Sequence, residues 1–149
     1  MNAKSILSAC LLLLASTGQS LVAQRPQRQR PMPVPSIQRP DLVVREYQFP
    51  PTYDKGLRVN VSNIGGAGAG ASVLRLTVRK IKGVAVGRTM EIQVPAIAAG
   101  AHDWVTLDAK GILPNDVSLK DTTFRLNVDA TTLVNESNEA NNEKWHNLN

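Results

Sequence analysis

The chain has 149 residues, a net charge of +5 and one cysteine, enough for one domain with appendages. Arg25, Arg28, Arg30 and Arg39 sit in an acid-free stretch from Gln24 to Pro40, and Lys4 is the fifth surplus charge; from Asp41 onward twelve Lys and Arg balance twelve Asp and Glu. The folded part is therefore neutral overall, and the basic face expected of a nucleic-acid binder is not supported.

Residues 1–23 read as a secretory signal. Lys4 is the positive head, Ile6 to Ala15 is mostly apolar, and Ser20 to Ala23 ends in the small residue that signal peptidase accepts. That apolar stretch falls short of the roughly 20 residues a membrane-spanning helix needs, and no other segment comes closer, so no transmembrane anchor is expected. Leu7 to Cys10 resembles a lipobox, but Leu11 to Leu14 follow the cysteine, where a lipobox cysteine follows the apolar run. Cleavage after Ala23 removes Cys10, and with it any disulfide, thiolate metal site or cysteine nucleophile. The expected location is outside the inner membrane: periplasmic, extracellular or at the cell surface.

Residues 24–40 carry Pro26, Pro31, Pro33, Pro35 and Pro40 and almost nothing to bury. This is a disordered Pro/Arg-rich linker, extended and polyproline-like. It serves either as a spacer or, through Arg25, Arg28, Arg30 and Arg39, as a salt-sensitive tether to an anionic surface.

Residues 41–149 read as strands. DLVVREYQF is the first, closed by Pro50 and Pro51. LRVNVSN is the second, with Leu57, Val59 and Val61 on one face and Arg58, Asn60 and Ser62 on the other. IGGAGAGA, from Ile64 to Ala71, superficially resembles a phosphate loop, but it leads into a strand, SVLRLTVRK, and not into a helix. It is read as a flexible loop at the domain's tip. Lys82 to Gly87 is read as a turn, RTMEIQV as the fourth strand and HDWVTL as the fifth. After a connection from Gly111 to Asp121 come FRLNVDA and, last, EKWHNLN. Seven short alternating strands at near-regular spacing predict an all-β, Greek-key β-sandwich.

Between the last two strands, NESNEANNE from Asn135 to Glu143 holds four Asn, three Glu, one Ser and one Ala. Two readings stand. Asp129, Glu136, Asn138, Glu139, Asn141 and Asn142 supply the hard oxygens calcium takes, though no calcium-loop spacing is present. Alternatively, Asn135, Asn138, Asn141 and Asn142 build a structural corner by bonding backbone N–H groups, with Glu136 and Glu139 facing solvent or paired with a base. No other cofactor is expected. His102 and His146 lack an activated serine or second acid nearby and are read as surface or packing residues. Trp104 and Trp145 are read as core or edge cover.

PDLVV at Pro40 to Val44, VNVSNIGGAGAGAS at Val59 to Ser72, LRLTV, and VDATTLVNESNEANN at Val128 to Asn142 together resemble the CARDB family, the cell-adhesion-related domain found in bacteria. The resemblance implies a seven-strand immunoglobulin-like sandwich, exported, as a module of surface or secreted proteins. The expected function is a non-catalytic binding or adhesion module that engages a protein or envelope polymer through a sheet edge or end loops. The alternative is a structural or accessory subunit of an envelope complex, stabilised by calcium.

Overall fold

A computed structural model describes residues 37–148. The expected signal peptide, Cys10, Arg25, Arg28, Arg30 and most of the expected linker lie outside the described residues. Seven strands form: β1 (Leu42–Gln48), β2 (Gly56–Asn63), β3 (Ser72–Ile81), β4 (Val84–Val94), β5 (His102–Asp108), β6 (Thr122–Asn127) and β7 (Glu143–His146). Single 3-10 turns at Ala109–Gly111 and Leu119–Asp121 interrupt the connection from β5 to β6. Every pairing between strands is antiparallel. One sheet has the order β1-β2-β5 and the other β4-β3-β6-β7, the two layers of an immunoglobulin-like Greek-key sandwich.

The period-2 pattern fills the space between the sheets. Val59 and Val61 of β2, Leu74, Leu76 and Val78 of β3, Leu107 of β5, and Phe124 and Leu126 of β6 are all fully buried. At roughly 1.5–3 kcal/mol for each large apolar side chain removed from water, this interior drives folding without a disulfide. β7 adds little to it, since its residues alternate between exposed and half-buried. His146 extends this interior at one rim by stacking on Phe124 at 4.8 Å. Its Nε2 lies 3.0 Å from the Lys120 carbonyl, which can only accept, so that nitrogen carries the hydrogen and Nδ1 accepts from the Tyr47 hydroxyl at 3.0 Å. This histidine is therefore a packing residue that ties β7 to β1 and to the turn at Leu119–Asp121.

Four local expectations change. The turn expected over Lys82 to Gly87 contracts to Lys82 and Gly83, with φ of 48° and 78°, a two-residue hairpin turn whose twist matches the strands, so β4 begins at Val84. The sixth strand stops at Asn127, because Asp129 turns left-handed at φ 49°. β2 is buried on both faces: Asn60 and Ser62, expected in water, are 5% and 2% exposed. Ile64 to Ala71 is fastened, not free, for Ala69 is buried and exchanges hydrogen bonds with Ile97 at 2.9 and 3.1 Å.

The fastening centres on Asn63, which is fully buried. Its Oδ1 accepts from Asp41 N and Gly65 N, both at 3.0 Å, and its Nδ2 donates to Ala67 O at 2.8 Å and Ile97 O at 3.0 Å. Arg39 O accepts from Gly66 N at 3.0 Å and Pro40 O from Ser137 N at 2.8 Å. A Cβ on Gly65 would fall 2.5 Å from Pro40 C and 2.6 Å from Asp41 N, so only glycine lets residues 39–41 cross here. Those residues form a strap at the pole where β1 begins.

Candidate functional site

The corner between β6 and β7 is built from its first residues. Val128 is held by a backbone bond to Asn142 O at 3.0 Å, and Ala130 N donates to Val73 O at 3.0 Å. The Asp129 carboxylate, 2% exposed, accepts from Leu133 N at 3.0 Å and Val134 N at 2.9 Å through separate oxygens. Both lie within reach because Asp129 and Thr132 adopt left-handed backbone at φ 49° and 52°, the turn geometry that Asp tolerates. Val134 then drops into the core.

Glu136 follows it inward and is 3% exposed. Its Oε2 accepts from Leu42 N at 3.0 Å. The Asn142 amide, turned as its surroundings require, donates to Glu136 Oε2 at 3.1 Å, Leu42 O at 2.9 Å and Asn141 Oδ1 at 3.1 Å. Glu136 Oε1 is buried without a hydrogen-bond partner among the described residues. Burial chiefly, and then the charges of Glu139, Asp129 and Asp41, push this carboxyl up to about 7 against the opposing pull of the Leu42 N–H. The expectation that Glu136 faces solvent or pairs with a base is thus corrected: it is the buried acid under the corner, drawn in by the unpaired N–H at the start of β1.

The six residues considered for a cation separate. Asp129, Glu136 and Glu139 bring carboxylate oxygens within 4.8 Å of one another. Glu139 also accepts from Glu136 N at 3.1 Å. Asn142 lines the same hollow as Asp129 and Glu139, whereas Asn138 Oδ1 turns to Ala140 N at 3.1 Å and Asn141 Nδ2 to Asp41 Oδ1 at 2.8 Å. Asn135 is exposed and makes no side-chain hydrogen bond among the described residues. Of the four asparagines expected to bond backbone N–H groups, Asn138 does so, while Asn141 and Asn142 act instead as donors, to Asp41 and to Glu136 and Leu42 O. Ser137, which the composition alone does not single out, adds a bond from its Oγ to Asp41 Oδ2 at 3.1 Å.

At the opposite pole, the β1–β2 loop meets the turn at Leu119–Asp121. Phe49, Pro50, Pro51, Tyr53, Ser118 and Lys120 line a hollow there. The Tyr53 hydroxyl donates to Asp108 Oδ1 at 2.5 Å, and that bond pushes the phenol up to about 12 and holds the Asp108 carboxyl below its usual range. Lys55 is 7% exposed and donates through Nζ to Pro114 O, and Leu119 N donates to Asp54 O at 2.8 Å, so the loop is fixed to the connection after β5. Two of the four sheet edges, β1 and β4, are less open. β1 is bulged between Val44 and Glu46 and is crossed at Arg45 O by Lys144 Nζ. On β4, Val78 pairs with Arg88, which puts the arginine on the core side of the edge, where it reaches Ile112 O at 2.8 Å. An inward-pointing charge is a device that discourages a further strand.

Neither tryptophan is in the core. Trp104 is half-buried on the outer face of the three-stranded sheet, with the Arg58 guanidinium 5.0 Å from its ring centre. Trp145 is 46% exposed beside Arg125 at 5.8 Å. His102 is exposed at the start of β5, and no helix among the described residues is long and apolar enough to cross a membrane.

Comparison with known proteins agrees with this architecture. A domain of a proposed cell surface protein from Methanosarcina acetivorans is 23% identical, with a TM-score of 0.53, over 71% of this chain and 87% of that one. A CARDB domain from Pyrococcus furiosus, solved in complex with di-metal ions, is 22% identical, with a TM-score of 0.48, over 72% of this chain and 84% of that one. No curated protein matches. The CARDB family model matches residues 39–146, a span that starts at the strap, takes in both sheets and the polar corner, and ends at the last residue of β7. The chain belongs to the CARDB family.

Proposed function

We propose that this protein is an exported, non-catalytic binding module that engages a protein or envelope polymer through the loops of one pole. The observation that carries the reading is polarity along the strands. The strap at residues 39–41 lies at one pole, while the hollow lined by Phe49, Pro50, Tyr53 and Lys120 lies at the other. A spacer before residue 39 would hold that hollow away from a surface. Its aromatic and proline walls suit an extended chain, and loops on a rigid scaffold are where recognition concentrates. Edge-strand addition is the weaker mode, given Arg88 on β4 and the bulge in β1. On this reading residues 1–23 are a signal peptide, the stretch from 24 to the strap is a spacer whose arginines also act as a tether, and 41–149, with the strap at Arg39 and Pro40, are the binding domain.

The test is a pull-down from envelope extract at low and high salt. It uses the full chain, a form lacking residues 24–36, and a Tyr53→Ser, Lys120→Ala double variant. Retention lost only in the double variant supports the loops. Retention lost only on deletion, and in salt, assigns recognition to the arginines and overturns the loop contact.

A second reading, a structural subunit stabilised by calcium, is favoured by one observation: three carboxylates within 4.8 Å, one of them with a buried oxygen that has no partner among the described residues. Calcium takes such oxygens, and a cation there would relieve the mutual repulsion. Calorimetric titration with millimolar calcium should release heat and raise the melting temperature, both absent in Glu136→Gln. Replacing Asn141 and Asn142 by Ala should lower stability with or without calcium. A loss seen only with calcium present would make the corner a cage and not a scaffold.

A further inference from the structure

We propose that the outer face of the β1-β2-β5 sheet carries a saccharide-binding site centred on Asn60 and Trp104, distinct from the pole loops and independent of the contact proposed for them. Arg45, Glu46, Asn60, His102 and Trp104 line one hollow on this face. Its floor is unusual for an outer sheet face, because Asn60 and Ser62 are 5% and 2% exposed. Ser62 Oγ lies 3.1 Å from Asn60 Oδ1 and holds one end of the amide, and the other end has no protein partner among the described residues. One end of a nearly buried amide is therefore left for whatever fills the hollow.

The wall is built by a backbone irregularity. Opposite Asn60 the register of β1 shifts between Val44 and Glu46, so Arg45 is an extra residue. Such a bulge re-aims a side chain, and here Arg45 and Glu46 line the hollow together in place of alternating across the sheet. Among the described residues they form no ion pair with each other or with a third residue, whereas Arg75, Lys82 and Arg125 are each paired with an acid. On the opposite side Trp104 of β5 pairs in register with Asn60 of β2, steadied by Arg58.

A guanidinium, a carboxylate, a primary amide and an imidazole around an indole are the groups that a pyranose uses. Planar amide, carboxylate and guanidinium groups bond adjacent hydroxyls, donors and acceptors being both supplied. The indole covers the C–H face of the ring. With a cation and an anion side by side, the hollow selects a hydroxyl-rich, uncharged ligand over an anionic polymer.

The experiment titrates the full chain with tetrasaccharides of glucose, of mannose and of N-acetylglucosamine, and with an oligoproline peptide. Calorimetry is read together with the NMR signals of the Asn60 amide and Trp104 indole. At least one saccharide should bind at about 1 mM or tighter and move both signals. Trp104→Ala should weaken that binding about tenfold, and the exposed substitutions Arg45→Met and Glu46→Gln, which leave the core untouched, several-fold each. Failure of all three saccharides to bind overturns the proposal. So does affinity unchanged in Glu46→Gln and Arg45→Met, or oligoproline binding at these residues as tightly as the sugars.

Discussion

Asn63, itself fully buried, makes four side-chain hydrogen bonds that join the start of β1, the glycine loop and the strand-like segment at Ile97. Asn63→Ala should cost about 3 kcal/mol or more in chemical denaturation, because it leaves the N–H groups of Asp41 and Gly65 and the C=O of Ala67 without that partner, while Ile97 O keeps Ala69 N. Asn63→Asp should be no better, although it keeps the shape, since it sets an oxygen against the carbonyls of Ala67 and Ile97. Its bond to Gly65 N is legible in the sequence as an Asn turn. The bonds to Asp41 and Ile97 are not, because those partners are 22 and 34 residues away. Glu136 was hidden for a similar reason: nothing in a polar run says which acid an N–H at the far end of the domain will draw inside.

That burial has a pH signature. The Glu136 carboxyl, at about 7 when folded against 4.5 unperturbed, binds its proton more tightly in the folded than in the unfolded chain. Its contribution to stability is therefore fully present below about 4.5, falls as pH rises to about 7, and levels off above, by on the order of 3 kcal/mol. Glu136→Gln, melted in the presence of a chelator, should flatten stability across this window and raise it at pH 8. A slope as steep as the parent's would remove Glu136 as its source.

At the scale of elements, the hairpin from β3 to β4 places Lys82 in left-handed backbone, which a branched or long side chain adopts at a cost. Lys82→Asn produces the Asn-Gly pair that this turn prefers, and should stabilise the domain by about 0.5–1 kcal/mol in thermal melts. It also removes the Lys82–Asp116 pair, but both partners are about two-thirds exposed, at 66% and 71%, and such a pair contributes little. The turn could not be bounded from sequence, because Val84 to Gly87 reads as weakly patterned. The strand there is set by pairing with β3, as in Ile81 with Val84 and Lys80 with Ala85. Period-2 alternation did reveal the seven strands themselves, since one face of nearly every strand is core. It could not reveal the bulge at Arg45, because DLVVREYQF alternates imperfectly on either reading.

For the whole molecule, the domain begins with Arg39 and not with the first strand residue, since the carbonyls of Arg39 and Pro40 already accept bonds from the glycine loop and the corner. A chain starting at Ile37 should melt with the parent. One starting at Leu42 should melt several degrees lower, having lost those bonds and the Asp41 contacts to Ser137 and Asn141. Equal melting temperatures would show that the strap adds nothing to stability.

β1 starts beside Asn142 and ends beside His146, so β1 and β7 run in the same direction on facing sheets. Tension entering at Arg39 and resisted at the far pole is thus directed along β1, not across it. The rungs joining β1 to β2, from Leu42 with Asn63 to Gln48 with Arg58, share that load and must slide together. Pulled from Arg39, the sandwich resists in shear, the geometry of a mechanical fastener, and does not unzip one bond at a time.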